Sequence, residues 1–82
     1  MSLLHLSARE REVLIWAAEG KTASETASIL RVSASAVNLY AQRAMSKLRA
    51  RTKTHAVAIA MKNSMLFDVI PRLNEPVANV LQ

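Results

Sequence analysis

The stretch that decides the fold is SASAVNLYAQRAMSKLR, residues 33–49. Placed on a helix, its apolar residues recur at spacings of three and four and form one buried stripe. That stripe consists of Val37, Tyr40, Ala41, Ala44, Met45 and Leu48. The opposite side carries Ser35, Asn38, Gln42, Ser46 and Arg49. Because this side has two amides and no acid, it suits a DNA groove, and we predict a recognition helix over about 34–49.

The composition places this helix in an all-α domain. The chain has 82 residues, enough for one small core. Of these residues 51% are hydrophobic but only 4% are aromatic, so the core must use Ala, Leu, Ile, Val and Met, which pack readily between helices. We therefore predict a four-helix helix-turn-helix domain with a short, partly ordered C-terminal tail.

Several other classes of protein are disfavoured. The chain has no cysteine, which excludes disulfides and thiolate metal sites. It has no apolar run near the roughly 18 residues that span a bilayer and no signal-peptide pattern, so we expect a cytoplasmic chain without membrane contact. No catalytic set is present, and His55 is interpreted as a solvent-facing residue. We predict no enzyme activity, no cofactor and no metal.

The positive charge is concentrated in the middle of the chain. Residues 31–62 contain seven bases and no acid, whereas the segments on either side each have a net charge of −1. The bases are Arg31, Arg43, Lys47, Arg49, Arg51, Lys53 and Lys62. A positive field of this kind favours a polyanionic partner, most commonly nucleic acid. An ordinary solvated basic face is the alternative.

Capping boxes mark the starts of the first two helices. The boxes are Ser7 with Glu10 and Thr22 with Glu25. The first helix should end near Glu19, because Gly20 suits the left-handed position that follows a helix. The residues expected to face inward are Val13, Leu14, Ala17 and Ala18 in the first helix and Ala27 with Ile29 or Leu30 in the second.

The second helix should end near Leu30, and Ser33 is placed to cap the third. Two short helices joined by a tight turn form the helix-turn-helix pattern, although an ordinary αα-hairpin is also compatible with it. Arg31 lies where a glycine is usual in this turn.

A fourth helix is expected over 53–63, capped by Thr52, with a stripe of mostly small residues that could pack inward or against a second copy. The stripe consists of Ala56, Val57, Ala60 and Met61. Beyond residue 66, Pro71 and Pro76 interrupt an apolar segment that we expect to dock on an unspecified surface. We therefore divide the chain into a domain at 6–66 and a tail at 67–82 of unknown role.

The motifs of the predicted domain resemble those of the C-terminal DNA-binding domain of LuxR-type (GerE-like) bacterial transcription regulators. The resemblance covers residues 6 to about 66 and rests on REREVL at 9–14, EGK at 19–21, KL at 47–48 and KT at 53–54. Trp16 and the GKT at 20–22 are similar to the quorum-sensing branch, whose complete members carry an N-terminal domain for an acyl-homoserine lactone. The chain departs from the family pattern at Thr26, Arg31, Ala36, Tyr40 and Ser64.

The resemblance implies that outward residues just after Val37 meet the DNA major groove. The base-reading positions are Asn38, Leu39 and Gln42. Their chemistry agrees, because an amide pairs with the N6 and N7 edge of adenine and Leu39 can pack on a thymine methyl. This predicts a preference for A·T pairs, although Asn38 and Gln42 could simply be solvated amides. The expected contacts to the DNA backbone are Lys21, Thr22, Ser33, Ser35, Arg43, Lys47, Lys53 and Thr54.

The resemblance also implies the partners. Double-stranded DNA is the main one, a homodimer is expected through helix 4 with Val57 and Met61 at the interface, and RNA polymerase is a further candidate. A signal ligand is expected only if an N-terminal domain exists. Two alternatives remain: a degenerate family member acting as a protein-interaction module through its tail and fourth helix, and a domain like sigma-factor region four.

Overall fold

The computed structural model describes residues 5–63, and these form four helices. The helices are α1 (Ala8–Ala18), α2 (Ala23–Leu30), α3 (Ala34–Leu48) and α4 (Lys53–Lys62). The predicted all-α class and the order of its elements are confirmed. The expected boundary at residue 66 and the tail at 67–82 lie outside the described residues. Within residues 5–63, each helix is too short or too polar to cross a membrane.

Hydrogen bonds fix the ends of α1 as its sequence predicts. The Glu10 N–H donates to Ser7 Oγ at 3.1 Å, and the Ser7 N–H donates to Glu10 Oε1 at 2.8 Å, which completes the capping box. Glu19 is the C-cap, and Gly20 follows with φ of +86°. A side chain is strained in that left-handed conformation, so glycine ends the helix at low cost.

The connection between α2 and α3 is a tight turn around Arg31. Arg31 has φ of 60° and ψ of 46°, so it adopts the left-handed conformation that a turn glycine would supply. The Val32 N–H donates to the Ala27 carbonyl oxygen at 3.0 Å and closes the end of α2. Ser33 Oγ then accepts from the Ala36 N–H at 3.0 Å and starts α3. The short helix-turn-helix connection is confirmed.

The core consists of two apolar clusters that share α1 and α3. The first lies between α1, α3 and α4 and contains Leu6, Leu14, Ile15, Ala44, Leu48, Ala56 and Ala60. The second lies between α1, α2 and α3 and contains Val13, Ala27, Val37 and Ala41. Within residues 5–63, α2 makes no packing contact with α4. Because α3 takes part in both clusters, its whole inner side is covered, and the predicted stripe is confirmed.

One prediction about inward residues is wrong. Ala18 is exposed and borders an open groove, whereas Ile15, which the pattern assigned no role, is fully buried. The cause is that α1 packs against all three other helices, so its buried sector is wider than one stripe. Of the two alternatives in α2, Leu30 packs on the second cluster and Ile29 is 42% exposed, because within residues 5–63 α2 contacts only α1 and α3.

Thr52 is the N-cap of helix α4, and its Oγ1 accepts from the His55 N–H at 3.0 Å. His55 is exposed, as expected, but its Nδ1 also accepts from the Arg51 N–H at 3.2 Å, which the sequence did not predict. Ala56 and Ala60 are completely buried, so the small residues of the stripe pack inward and let α4 approach its neighbours closely.

The positive φ angles of Arg31 and Gly20 predict opposite effects of substitution on stability. Arg31→Gly should raise the free energy of unfolding by roughly 0.5 to 1 kcal/mol, because glycine removes the steric cost of a positive φ. The matched variant Gly20→Ala should lower it by about 1 kcal/mol, since the added Cβ meets no atom within 4 Å and only the backbone conformation is penalised. Thermal unfolding of both variants measures the difference, and a lower midpoint for Arg31→Gly would contradict it.

Candidate nucleic-acid interface

The outer side of α3 is a continuous exposed polar surface, which we call the recognition face. It consists of Ser35, Asn38, Leu39, Gln42, Arg43, Ser46 and Arg49, all of them exposed. Asn38 and Gln42 lie one helical turn apart, with Leu39 between them at 45% exposure. The structure therefore brings the three predicted base-reading residues together, on the side opposite the buried Val37.

The start of α3 places two hydroxyl groups beside this face. Ser33 Oγ accepts the Ala36 N–H, which leaves its own hydroxyl proton free to donate to another acceptor. Ser35 is exposed in the first turn. Since the N-terminal end of a helix favours negative charge, this end is suited to a phosphate oxygen.

A groove of about 380 Å³ between the C-terminal end of α1 and the start of α4 collects three more predicted contacts. These are Lys21, Lys53 and Thr54, and the rest of the lining is Ala17, Ala18, Gly20 and Val57. Lys21 is exposed, while Lys53 and Thr54 occupy the first turn of α4. Two ammonium groups beside a helix N-terminus make this groove electropositive.

Thr22 lies at the start of α2, where its Oγ1 and its N–H both take part in a capping box and its hydroxyl proton remains free to donate. Its Oγ1 accepts from the Glu25 N–H at 3.1 Å, and its N–H donates to Glu25 Oε1 at 2.9 Å. The hydrogen bond from the Thr22 N–H lowers the pKa of Glu25, so the carboxylate remains charged at the start of α2. That negative charge opposes a phosphate at this position. A phosphate contact by Thr22 stays a prediction.

Lys47 is paired with Glu10 in the structure, and the phosphate contact expected of it stays a prediction. Its Nζ donates to Glu10 Oε1 at 2.8 Å and to the His5 carbonyl oxygen at 3.3 Å. Glu10 is only 3% exposed, whereas the Lys47 side chain is 39% exposed, so the ion pair lies at the edge of the core. The physical reason is that a buried carboxylate requires a compensating charge, and Lys47 is the cation whose side chain reaches it.

Glu10 has a second role, the ion pair with Lys47, beside the capping role that its sequence pattern indicates. It was assigned only a capping role, although its spacing of three and four from Val13 and Leu14 places all three on one helical face. Burial raises the pKa of Glu10, but the hydrogen bonds from Lys47 and Ser7 and the charge of Lys47 outweigh burial and lower the pKa below its usual value. Glu10 is therefore a charged residue inside the fold.

The residues predicted for a dimer interface have unequal exposure. Val57 is partly buried and packs on the first cluster, while Met61 is 49% exposed. Together with the exposed Ala58 they form a narrow uncharged strip along α4, which we call the outer strip of α4. Within residues 5–63, no three histidine or acidic side chains are grouped closely enough to hold a metal.

Comparison with known proteins identifies relatives of the chain. The family model described as bacterial regulatory proteins, luxR family, matches residues 4–60. The chain is 45% identical over 58 residues to the transcriptional repressor ThaA of Burkholderia thailandensis and 50% identical over 56 residues to the transcriptional activator protein SolR of Ralstonia nicotianae. It is 47% identical over 55 residues to the HTH-type quorum-sensing regulator RhlR of Pseudomonas aeruginosa.

These three matches cover 71%, 68% and 67% of this chain but only 24%, 24% and 23% of the respective relatives. The chain thus spans about a quarter of the length of the curated relatives it matches.

The lowered pKa of Glu10 predicts how stability depends on pH. Because the folded state holds this proton less tightly than the unfolded state, the contribution of Glu10 is complete above its ordinary pKa and is lost as pH falls through the lowered value. Glu10→Gln should cost about 1–2 kcal/mol at pH 7, since Lys47 is 39% exposed and water screens part of the interaction. Urea unfolding from pH 3 to 8 measures this cost.

The difference between Glu10→Gln and the unmodified chain should shrink as pH falls below about 4. The control is Glu12→Gln, which breaks only the surface pair between Arg9 and Glu12 and should cost less than about 0.5 kcal/mol. A constant difference between Glu10→Gln and the unmodified chain across the pH range would contradict the assignment.

Proposed function

The chain belongs to the luxR family of bacterial regulatory proteins, as its motifs predicted, and from this premise we propose that it is the DNA-binding output domain of a transcription regulator. In this proposal α3 enters the major groove of double-stranded DNA and reads its sequence. The observation that carries the proposal is the recognition face, where Asn38, Leu39 and Gln42 are exposed together without any acid.

The three residues supply complementary contacts to bases. A side-chain amide donates to N7 and accepts from N6–H of the same adenine, and a leucine side chain packs on the thymine methyl. Asn38 and Gln42 are about 6 Å apart along the helix axis, so they reach different base pairs. The readout should therefore favour A·T pairs.

Phosphate contacts hold α3 in position on both sides of the bases. Arg43 and Arg49 are exposed on α3 itself, and Ser33 and Ser35 border its start. The groove formed by α1 and α4 offers Lys21, Lys53 and Thr54 to a phosphate farther along a strand. Since each neutralised phosphate releases bound cations, these contacts supply affinity that depends on salt.

We also propose that two copies bind together through the outer strip of α4. Its residues carry no charge and Met61 is the largest exposed apolar side chain among them. The strip is far smaller than the roughly 800 Å² per partner of a stable interface, so the second copy should join on DNA rather than in free solution. Two recognition helices then read two half-sites.

The biological setting follows from the relatives. RhlR is a quorum-sensing regulator by name, while ThaA and SolR are a repressor and an activator. We propose that this domain acts in the cytoplasm, that it serves signal-dependent regulation when a sensing domain precedes it, and that it can act with RNA polymerase. Because the named relatives include both signs of regulation, the domain type is compatible with either.

Base reading and phosphate binding should respond differently to substitution. Gln42→Ala should relax the preference at one base position by about 1–3 kcal/mol, because one bidentate contact is lost. Arg43→Gln should weaken binding to every duplex and reduce the slope of log affinity against log salt by about 0.9. Fluorescence anisotropy with a selected and a shuffled duplex at 50–200 mM salt separates the two effects.

The control for Arg43→Gln is Lys62→Gln, which removes the same charge at the far end of α4 from the groove and should leave the slope unchanged. The contradicting result is that Gln42→Ala and Arg43→Gln act alike on both duplexes. If neither substitution changes DNA binding, while removal of residues 67–82 abolishes binding to a protein partner, the chain is a protein-interaction module instead.

The outer strip of α4 gives a separate prediction. Met61→Asp should weaken binding to a duplex with two half-sites and leave binding to one half-site unchanged, because it places two acids against each other between the copies. Met61→Leu retains an apolar side chain and should behave as the unmodified chain does. Gel-shift titrations on both duplexes measure this, and equal losses on one and two half-sites would rule out the interface.

A further inference from the structure

We propose that Glu10 is a positioning residue for DNA recognition. Its contact with Lys47 sets the orientation of α3 on α1, and thereby the place where the recognition face meets the major groove of DNA. This inference rests on the proposed function. It also gives Lys47, which the sequence placed on the DNA backbone, a partner within the domain, the carboxylate of Glu10.

The contact joins the first turn of α1 to the last turn of α3. Glu10 and Lys47 are 37 residues apart in sequence, and Nζ lies 2.8 Å from Oε1. The same oxygen accepts the Ser7 N–H, and Lys47 also donates to the His5 carbonyl oxygen. One carboxylate therefore ties together the segment that enters α1, the start of α1 and the end of α3.

Apolar packing alone does not fix α3 as tightly. Between the larger Val37 and Leu48, its inner side contains the small residues Ala41 and Ala44, and the force that buries them has no preferred direction. Small side chains form shallower ridges than large ones, so this middle part of α3 interlocks less with its neighbours. A short charge-assisted hydrogen bond is directional, so it selects one arrangement.

The contact lies far enough from the base-reading residues that a small change in the tilt of α3 at Lys47 moves them. Lys47 lies nine residues beyond Asn38, or about 14 Å along the helix axis. A change in the tilt of α3 at its end therefore moves the amides that face the bases. Phosphate contacts, which are made by long side chains, follow such a shift more easily than bidentate base contacts do.

The charges are also separated in a way that suits this role. Glu10 is 3% exposed, so its negative charge is kept away from the recognition face. Because Glu10 neutralises Lys47, phosphate binding falls to Arg43, Arg49 and the groove between α1 and α4. The pair therefore orders the helix without contributing to the electrostatic attraction of DNA.

The test compares three variants of the 82-residue chain. Glu10→Gln keeps an oxygen that accepts the Ser7 N–H, so the capping box remains while the charge is lost. Lys47→Arg retains a cation and is the conservative variant. Glu10→Gln combined with Lys47→Met removes both charges and leaves no buried ion behind, which keeps the experiment possible if the single variant does not fold.

Two duplexes serve as probes: one selected from a randomised pool by the unmodified chain, and one with the same composition in shuffled order. In Glu10→Gln and in the double variant, the ratio of affinities for these duplexes should fall about fivefold to tenfold, as for part of one base contact. Lys47→Arg should retain the ratio, and the salt slope of the double variant should match the unmodified chain. A merely structural role would reduce the folded fraction and lower both affinities equally.

Amide hydrogen exchange measures positioning without DNA. In Glu10→Gln, protection should fall in the last turn of α3, around residues 45–49, and remain in α2. Glu12→Gln, which breaks only the surface pair with Arg9, should leave exchange and the affinity ratio unchanged.

Two results would overturn the inference: an unchanged affinity ratio in both Glu10 variants, or a salt slope about 0.9 lower in the double variant, which would return Lys47 to a phosphate. If the unmodified chain prefers no duplex, the proposed function fails instead. The exchange measurement then decides whether Glu10 positions α3.

Discussion

The domain depends on one constraint, which is that α3 must bury one side completely while its other side remains bare. Clusters on both sides of α1 cover Val37, Ala41, Ala44 and Leu48, each of them at most 5% exposed. The geometry of a helix then leaves every residue of the recognition face pointing outward. The packing of α3 and the exposure of the recognition face are therefore two consequences of the same placement of α3.

The local features of the fold could be predicted from the sequence because their causes are local. A serine or threonine three residues before a glutamate specifies a capping box, and both boxes are present. The left-handed Gly20 and the alternation of apolar and polar residues in α3 are determined by a few neighbouring residues in the same way. The three predicted base-reading positions needed nothing more than this pattern and the family resemblance.

The remaining features depend on contacts between distant parts of the chain. The complete burial of Ile15 results from α1 touching three helices, which the spacing of apolar residues in α1 does not reveal. The pairing of Glu10 with Lys47 joins residues 37 positions apart, and so does not follow from any local motif. The groove that unites Lys21 with Lys53 likewise exists only after folding.

The central claim is that the recognition face, rather than another surface, meets DNA. The most direct measurement is a map of backbone amide chemical shifts, in the presence and absence of a duplex selected from a randomised pool. We expect the largest changes at residues 33–43, with smaller ones near Lys21 and at the start of α4. Changes confined to α2 or to the outer strip of α4, with Asn38 and Gln42 unaffected, would contradict it.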